Sequence, residues 1–248
     1  MNERAVGKLE DVVRALSLAA ADYLYSELKK QGCLAATRLA SSALRDLVDG
    51  SVEELRVTQA PLLNPVRVPS LARWPRCHTV IVQPRFGSEP VDAAVLLQAP
   101  FLGQLESSRR RITCVRLELD RYPRTRPGSG DSGRLESALA VSPTVCSLAG
   151  WLPCLRELDL GCLDAEEWTC GGRAAALMHA ALASLGSVES LALPSVALLP
   201  GIEALAGSLR RLSVGSRLVK YREGLDEEPA DEDIESVRQL LGLEELSS

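Results

Sequence analysis

Four cysteines, Cys146, Cys154, Cys162 and Cys170, stand eight residues apart. Thiolates bind zinc and attack electrophiles, so the row raises the question of a metal set or a nucleophile. Zinc ligands typically come in pairs about two to four residues apart, and the chain has no C-x-x-C. Seven cysteines is an odd number, and the opening "MNERAVGKLEDVV" has no apolar stretch of a secretory signal, so a disulfide framework is not expected. The expectation is that the cysteines are small buried hydrophobes, with Cys77 and Cys114 at inward positions. The two histidines, His78 and His179, have no Ser, Cys or carboxylate at motif spacing. Ser132 lies in "GSGDSG" (128–133), in a stretch rich in Arg and Pro with no histidine motif to serve it. Walker and G-x-G-x-x-G loops are absent. No catalytic residue, metal site or cofactor is therefore expected.

Composition narrows the partners. There are 33 acidic and 28 basic residues, a net charge of −5, which argues against the basic face a general nucleic-acid binder needs. No apolar run reaches the roughly 18 residues of a membrane span, so none is expected. Glu3, Glu10 and Asp11 count against an organelle leader, and the expected location is cytoplasmic or nuclear. Aromatics are only 4% of the chain, so Leu, Val and Ala must build the core.

Those leucines recur on one ruler. In "LPCLRELDL", Leu152, Leu155, Leu158 and Leu160 stand at intervals of three, three and two. Leu185, Val188, Leu191 and Leu193 repeat it, as do Ala206, Leu209, Leu212 and Val214, and Trp74, Cys77, Val80 and Val82. Leu240, Leu243 and Leu246 fit, with weaker copies at Val52, Leu55 and Val57 and at Cys114, Leu117 and Leu119. The final alternation predicts a short strand with its leucines inward. One unit cannot bury its own apolar face, so units must stack. Between them, helices are predicted in "VDAAVLLQAPFLGQL", broken at Pro100, and in "RAAALMHAALASL", with Ala174, Leu177, Met178, Ala181, Leu182 and Leu185 on one face. The spacing resembles the leucine-rich-repeat family over residues 51–248, in about seven irregular units. The resemblance implies an α/β solenoid of short parallel strands and outer helices. The Asn or Cys that in the family follows the last leucine is replaced here by Ala60, Arg85, Tyr122, Leu163, Val196 and Arg217, so irregular, water-satisfied turns are expected.

Residues 1–50 read differently. Leu9, Val12, Val13, Leu16, Ala20, Leu24 and Leu28 suggest one helix, Gly32 a break, and Leu34, Leu39, Ala43, Leu44 and Leu47 a second helix. In "AATRLASSALRDLVDGSVEELRV", the positions of Arg38, Leu39, Leu44, Arg45, Leu47, Val48, Val52 and Leu55 resemble the F-box and its first repeat. The opening departs from that family, with Leu9-Glu10 in place of Leu-Pro and Gln31-Gly32-Cys33 where an acidic break stands. The resemblance implies docking on the adaptor subunit of a cullin-based ubiquitin ligase through Leu9, Val12, Val13, Leu16, Leu34, Leu39 and Leu44. The alternative is a helical cap over the first repeat, and a scaffold role in a larger assembly.

Two insertions interrupt the ruler. Residues 121–134, rich in Pro, Gly, Ser and Arg, read as a surface loop, and 222–237 as an acidic run without calcium-loop spacing. "GLEELSS" reads as a repeat strand with no polar cap after it. Either the acidic segment or a partner covers that edge, or the natural array is longer, and self-association through it is expected. Function is expected on the outward, concave side of the strands. There stand Glu54 and Arg56, Thr79 and Ile81, Arg116, Glu118 and Asp120, Glu157 and Asp159, Ser190 and Ala192, and Arg211 and Ser213. Arg56, Arg116, Glu118, Asp120, Glu157, Asp159 and Arg211 are the expected contacts of a protein partner, the carboxylates taking its basic groups.

Overall fold

A computed structural model describes residues 3–59, 70–84, 97–98, 100–118, 131–162, 172–195, 198–199, 202–214 and 245–247. The chain forms two compact units, Met1–Leu55 with Pro69–Cys77, and Arg56–Val68 with His78–Ser248.

Among its described residues, the first unit holds four α-helices, α1 (Glu3–Arg14), α2 (Leu18–Lys30), α3 (Leu34–Ala40) and α4 (Ser42–Gly50), and a 3-10 turn at Leu71–Arg73. The two helices expected from apolar spacing are thus four. Serines make the extra breaks. Ser17 is extended and its hydroxyl accepts from Ala20 N at 3.3 Å, while Ser41 does the same for Leu44 N at 3.2 Å. Each caps orphan amides and starts a new helix. Gly32 ends α2 with φ of 68°, a conformation that favours glycine. The unit is pinned by Asp49, which is buried near the C-terminus of α4, where the helix dipole disfavours a carboxylate. Two cations offset this: Arg73 Nε lies 2.6 Å from Oδ2, and Arg38 Nε lies 2.7 Å from Oδ1 in poor alignment for a hydrogen bond. Arg76 adds ion pairs to Asp22 and Glu53, each at 2.5 Å.

The second unit is α/β. Among the described residues, seven strands lie in sequence order: β1 (Glu54–Gln59), β2 (Thr79–Pro84), β3 (Cys114–Leu117), β4 (Glu157–Asp159), β5 (Ser190–Leu193), β6 (Arg211–Val214) and β7 (Glu245–Ser247). The ladder from β2 to β7 is parallel throughout. Sequential parallel neighbours need a crossover at every step. The described crossovers include α5 (Glu106–Arg109), α6 (Asp131–Trp151) and α7 (Gly172–Ala183), with α6 packed on α7. Among the described residues, no helix is long and apolar enough to cross a membrane.

Register aligns Val80, Val115, Leu158, Leu191, Leu212 and Leu246 in one row. The first five are buried, as are Val82, Leu117, Leu160, Leu193 and Val214 in the next inward row. Each such side chain removed from water stabilises the fold by about 2 kcal/mol. At β3 the buried set with the three-and-two spacing is therefore Ile112, Val115 and Leu117, and not Cys114, Leu117 and Leu119. Cys114 pairs with Thr79 and Glu157 and lies on the outward side, which corrects its expected inward position.

Two further readings change. The buried stripe of α7 runs through Ala175, Met178, Ala181 and Leu182 to Leu185 beyond its end, while Leu177 is exposed. Residues 131–134, expected in a loop, open α6. Beyond Gly130, Leu135, Ala138, Leu139 and Ser142 recur at helical spacing, which outweighs the glycines before them. The rest of that loop, the acidic run 222–237 and the six expected turn positions lie outside the described residues.

Candidate functional site

Alternation in β2 to β6 turns one set of side chains away from the leucine rows. Register stacks them as Thr79, Cys114, Glu157, Ser190 and Arg211, and then as Ile81, Arg116, Asp159, Ala192 and Ser213. Arg56, Arg116, Arg211 and Ser213 are exposed, and Glu118, Glu157, Asp159, Ser190 and Ala192 are half-buried. Thr79 and Ile81 are buried, which corrects their expected exposure. Ile81 stands in register with Arg116, a side chain long enough to cover it.

The carboxylates on this side already have partners. Glu157 bridges two guanidiniums, Arg211 Nη2 at 3.2 Å and Arg116 Nη2 at 3.6 Å. Glu118 Oε2 lies 3.3 Å from Arg56 Nη1. Asp159 turns back on its own strand end, its Oδ1 accepting from Gly161 N at 2.9 Å. A Cβ on Gly161 would stand 3.3 Å from that oxygen, so the close turn favours glycine. These are exposed pairs worth about 0–1 kcal/mol each, so they align the face more than they stabilise it. Asp120 lies outside the described residues. The structure thus brings Arg116, Glu157 and Arg211 together and sets Arg56 on Glu118.

The turn before each strand adds groups that the leucine ruler does not single out. Arg156 Nη1 contacts Glu189 Oε1 at 2.7 Å, and Arg210 follows Glu189 in the same row. They precede the strands by one residue, so a search restricted to the alternating positions passes over them. Cys162 Sγ donates to the Leu117 carbonyl oxygen at 2.6 Å, one residue before the expected turn position. The chemical signal was present, a Cys just beyond Leu160, but at an offset position.

The thiols divide by burial. Cys33, Cys146 and Cys154 are exposed, which corrects the expectation of uniformly buried cysteines, while Cys77 and Cys114 are buried. Burial, followed by the nearby Glu157, pushes the Cys114 thiol up to about 11, against the lowering effect of Arg116. Because the folded state holds that proton more tightly than the unfolded chain, the contribution is complete below pH 9 and declines as pH rises towards about 11. A thiol-reactive disulfide reagent at pH 8 is expected to label Cys33, Cys146 and Cys154 rapidly, and Cys114 only on unfolding. Rapid native labelling of Cys114, read by peptide mass spectrometry, would contradict this. Among the described residues, no group of three or more His, Cys, Asp or Glu side chains is gathered as a metal site.

In the helical unit, the expected adaptor residues split. Leu39 is 82% exposed, Val12 61% and Leu9 52%, joined by Leu18 and Tyr23. Leu16, Leu34 and Leu44 are half-buried. Val13 is buried within the described structure, so it serves the core and is not available to a partner. Helices α2 and α3 bury no residue fully. Comparison with known proteins finds no family model that matches this chain and no curated protein that matches it.

Proposed function

We propose that the chain is a leucine-rich-repeat solenoid that works as a protein-interaction adaptor, holding a protein partner on the outward side of its strands. The observation that carries this reading is the Arg116–Glu157–Arg211 row, repeated charge displayed on a rigid in-order parallel ladder. Its carboxylates are internally neutralised, which favours a partner presenting both signs of charge over a plain polycation. Such a partner exchanges one ion pair for another, so it gains specificity more than affinity.

The specific form of this reading is a substrate-recognition subunit of a cullin-based ubiquitin ligase. The exposed apolar side chains Leu9, Val12 and Leu39 support it, since each would leave water on being covered by a partner. The competing reading is a scaffold component whose N-terminal helices only cap the array. Self-association through the β7 edge belongs to either reading.

One capture experiment from cell extract tests both levels. Glu157→Lys places an ammonium between two guanidiniums and is expected to reduce the main captured partner at least tenfold while leaving the circular dichroism unchanged. Undiminished capture overturns the strand-face reading. Leu9→Asp/Val12→Asp alters exposed positions and is expected to remove an adaptor–cullin pair selectively. If the intact chain captures no such pair, the scaffold reading stands.

A further inference from the structure

We propose that the turn carrying Leu102, Leu105 and Arg109 is a second docking surface, for a protein segment that sets a carboxylate beside an aliphatic or aromatic side chain. The turn belongs to the crossover from β2 to β3. Leu102 is 58% exposed and Leu105 60%, while Leu97 and Phe101 just before them are buried. The backbone fixes this display. Phe101 N and Leu102 N donate to the Gln98 carbonyl at 3.0 and 3.2 Å, and Gln104 N to the Phe101 carbonyl at 3.3 Å. Gly103 has φ of 69°, which favours glycine and lets the chain turn between the two leucines. Ser108 N and Arg109 N both donate to the Leu105 carbonyl at 3.0 Å. Arg109 therefore stands one helical turn beyond Leu105 and on the same face, about 6 Å away.

Single exposed leucines are ordinary on a protein surface. Here two of them adjoin a cation without a counter-ion. Arg109 is half-buried, its Nε has no hydrogen-bond partner, and it makes no ion pair among the described residues. Its neighbours are engaged. Arg110 holds Glu106 Oε1 at 2.6 Å, and Arg111 donates to the Ser107 carbonyl at 3.4 Å and to Ser108 Oγ at 3.5 Å. A carboxylate is the acceptor that a planar guanidinium binds best. Covering the leucines removes apolar surface from water and strengthens the charge pair beside them. The separation of about 6 Å sets the motif: the partner's acid lies two residues from its apolar side chain in a strand, or three to four in a helix. Other occupants fit less well. An anionic membrane draws on roughly four to eight cations together, whereas Arg110 and Arg111 are engaged here and the chain carries a net charge of −5. A two-fold contact between copies centred on this turn would set Arg109 against Arg109. The turn is no part of the strand face, so it stands or falls separately from the reading above.

The test selects dodecapeptides from a random phage-displayed library on the full chain and measures the enriched peptides by fluorescence anisotropy. They are expected to carry Asp or Glu two to four residues from Leu, Ile, Phe or Trp. Arg109→Gln and Leu105→Ser are each expected to weaken such a peptide about tenfold with unchanged circular dichroism. Replacing the peptide's acid by its amide should weaken wild-type binding about tenfold and leave binding to Arg109→Gln unchanged, which ties the two groups to each other. Leu102→Ser, at an exposed position, is expected to weaken it about threefold and keeps the test decisive if the arginine variant misfolds. Glu157→Lys, which alters the strand face, is expected to leave this peptide's affinity as it is, so failures of the two surfaces are told apart. No enrichment, enriched peptides without an acid, or affinities equal in the wild type and all three turn variants overturn the proposal. Flotation with phosphatidylcholine–phosphatidylserine vesicles that Leu102→Ser/Leu105→Ser abolishes would overturn it in favour of a lipid surface. A concentration-dependent dimer in sedimentation that Leu105→Ser abolishes would overturn it in favour of a second copy.

Discussion

Leu158→Asp is expected to abolish cooperative folding of the sheet-bearing unit. Leu158 is 1% exposed and sits in register between Val115 and Leu191. The change forfeits the transfer free energy of a buried leucine, about 2–3 kcal/mol. It also places a carboxylate among leucines and valines, where it must either protonate or draw water in, at a further cost of several kcal/mol. The sum approaches or exceeds the roughly 5–15 kcal/mol by which most domains are stable. Leu158→Ala, losing contacts without adding charge, is expected to cost about 2–5 kcal/mol and leave a folded protein. Asp159→Asn, one residue along and on the other side, keeps an acceptor for Gly161 N and is expected to cost under about 1 kcal/mol. Urea titrations of the three variants check the order. A Leu158→Asp protein with an unaltered midpoint would mean that the inward rows are not the core.

Asp49→Ala is the second large effect. The carboxylate is 6% exposed and holds Arg38 and Arg73 at once. Breaking a buried pair from one side costs about 3–5 kcal/mol when the surviving charge stays buried. Here both guanidiniums are partly exposed, at 33% and 43% of their side-chain surface, and can rehydrate, so about 2–3 kcal/mol is expected. A helical unit with so few fully buried residues has little stability to spare. Amide exchange in α4 should accelerate by about 30- to 150-fold, in proportion to that loss. Asp49→Asn keeps an acceptor and should lie between alanine and wild type. Unchanged exchange in the alanine variant would show that the two ion pairs contribute nothing to the unit.

Sequence spacing located the inward rows because a buried strand demands strict alternation, a period that the helical runs between the strands do not share. The slip at β3 shows its limit. "RITCVRLEL" contains two overlapping matches to the ruler, Ile112–Val115–Leu117 and Cys114–Leu117–Leu119. A two-residue slip keeps side chains on the same face, so Arg116 and Glu118 were still placed outward. It mistakes the tier, however, and carried Cys114 to the wrong side. In the helical unit, apolar periodicity ran across Ser17 and Ser41, because a cap interrupts the backbone without interrupting the apolar stripe. The electrostatics of the outward side were least legible. That Glu157 lies between Arg116 and Arg211 follows from register across residues 41 and 54 positions distant, which no local pattern encodes.

A main-chain ladder runs beneath the side chains of the pre-strand turns. The carbonyls of His78, Thr113, Arg156 and Glu189 each accept two amide hydrogens from the following turn, at 2.7–3.1 Å. An imidazole, a hydroxyl, a guanidinium and a carboxylate thus occupy the same structural position, and none of them is needed to make the joint. Replacement along that line is nearly free of folding consequences, so the charge lettering of this edge can drift toward a new ligand while the joints beneath it stay closed.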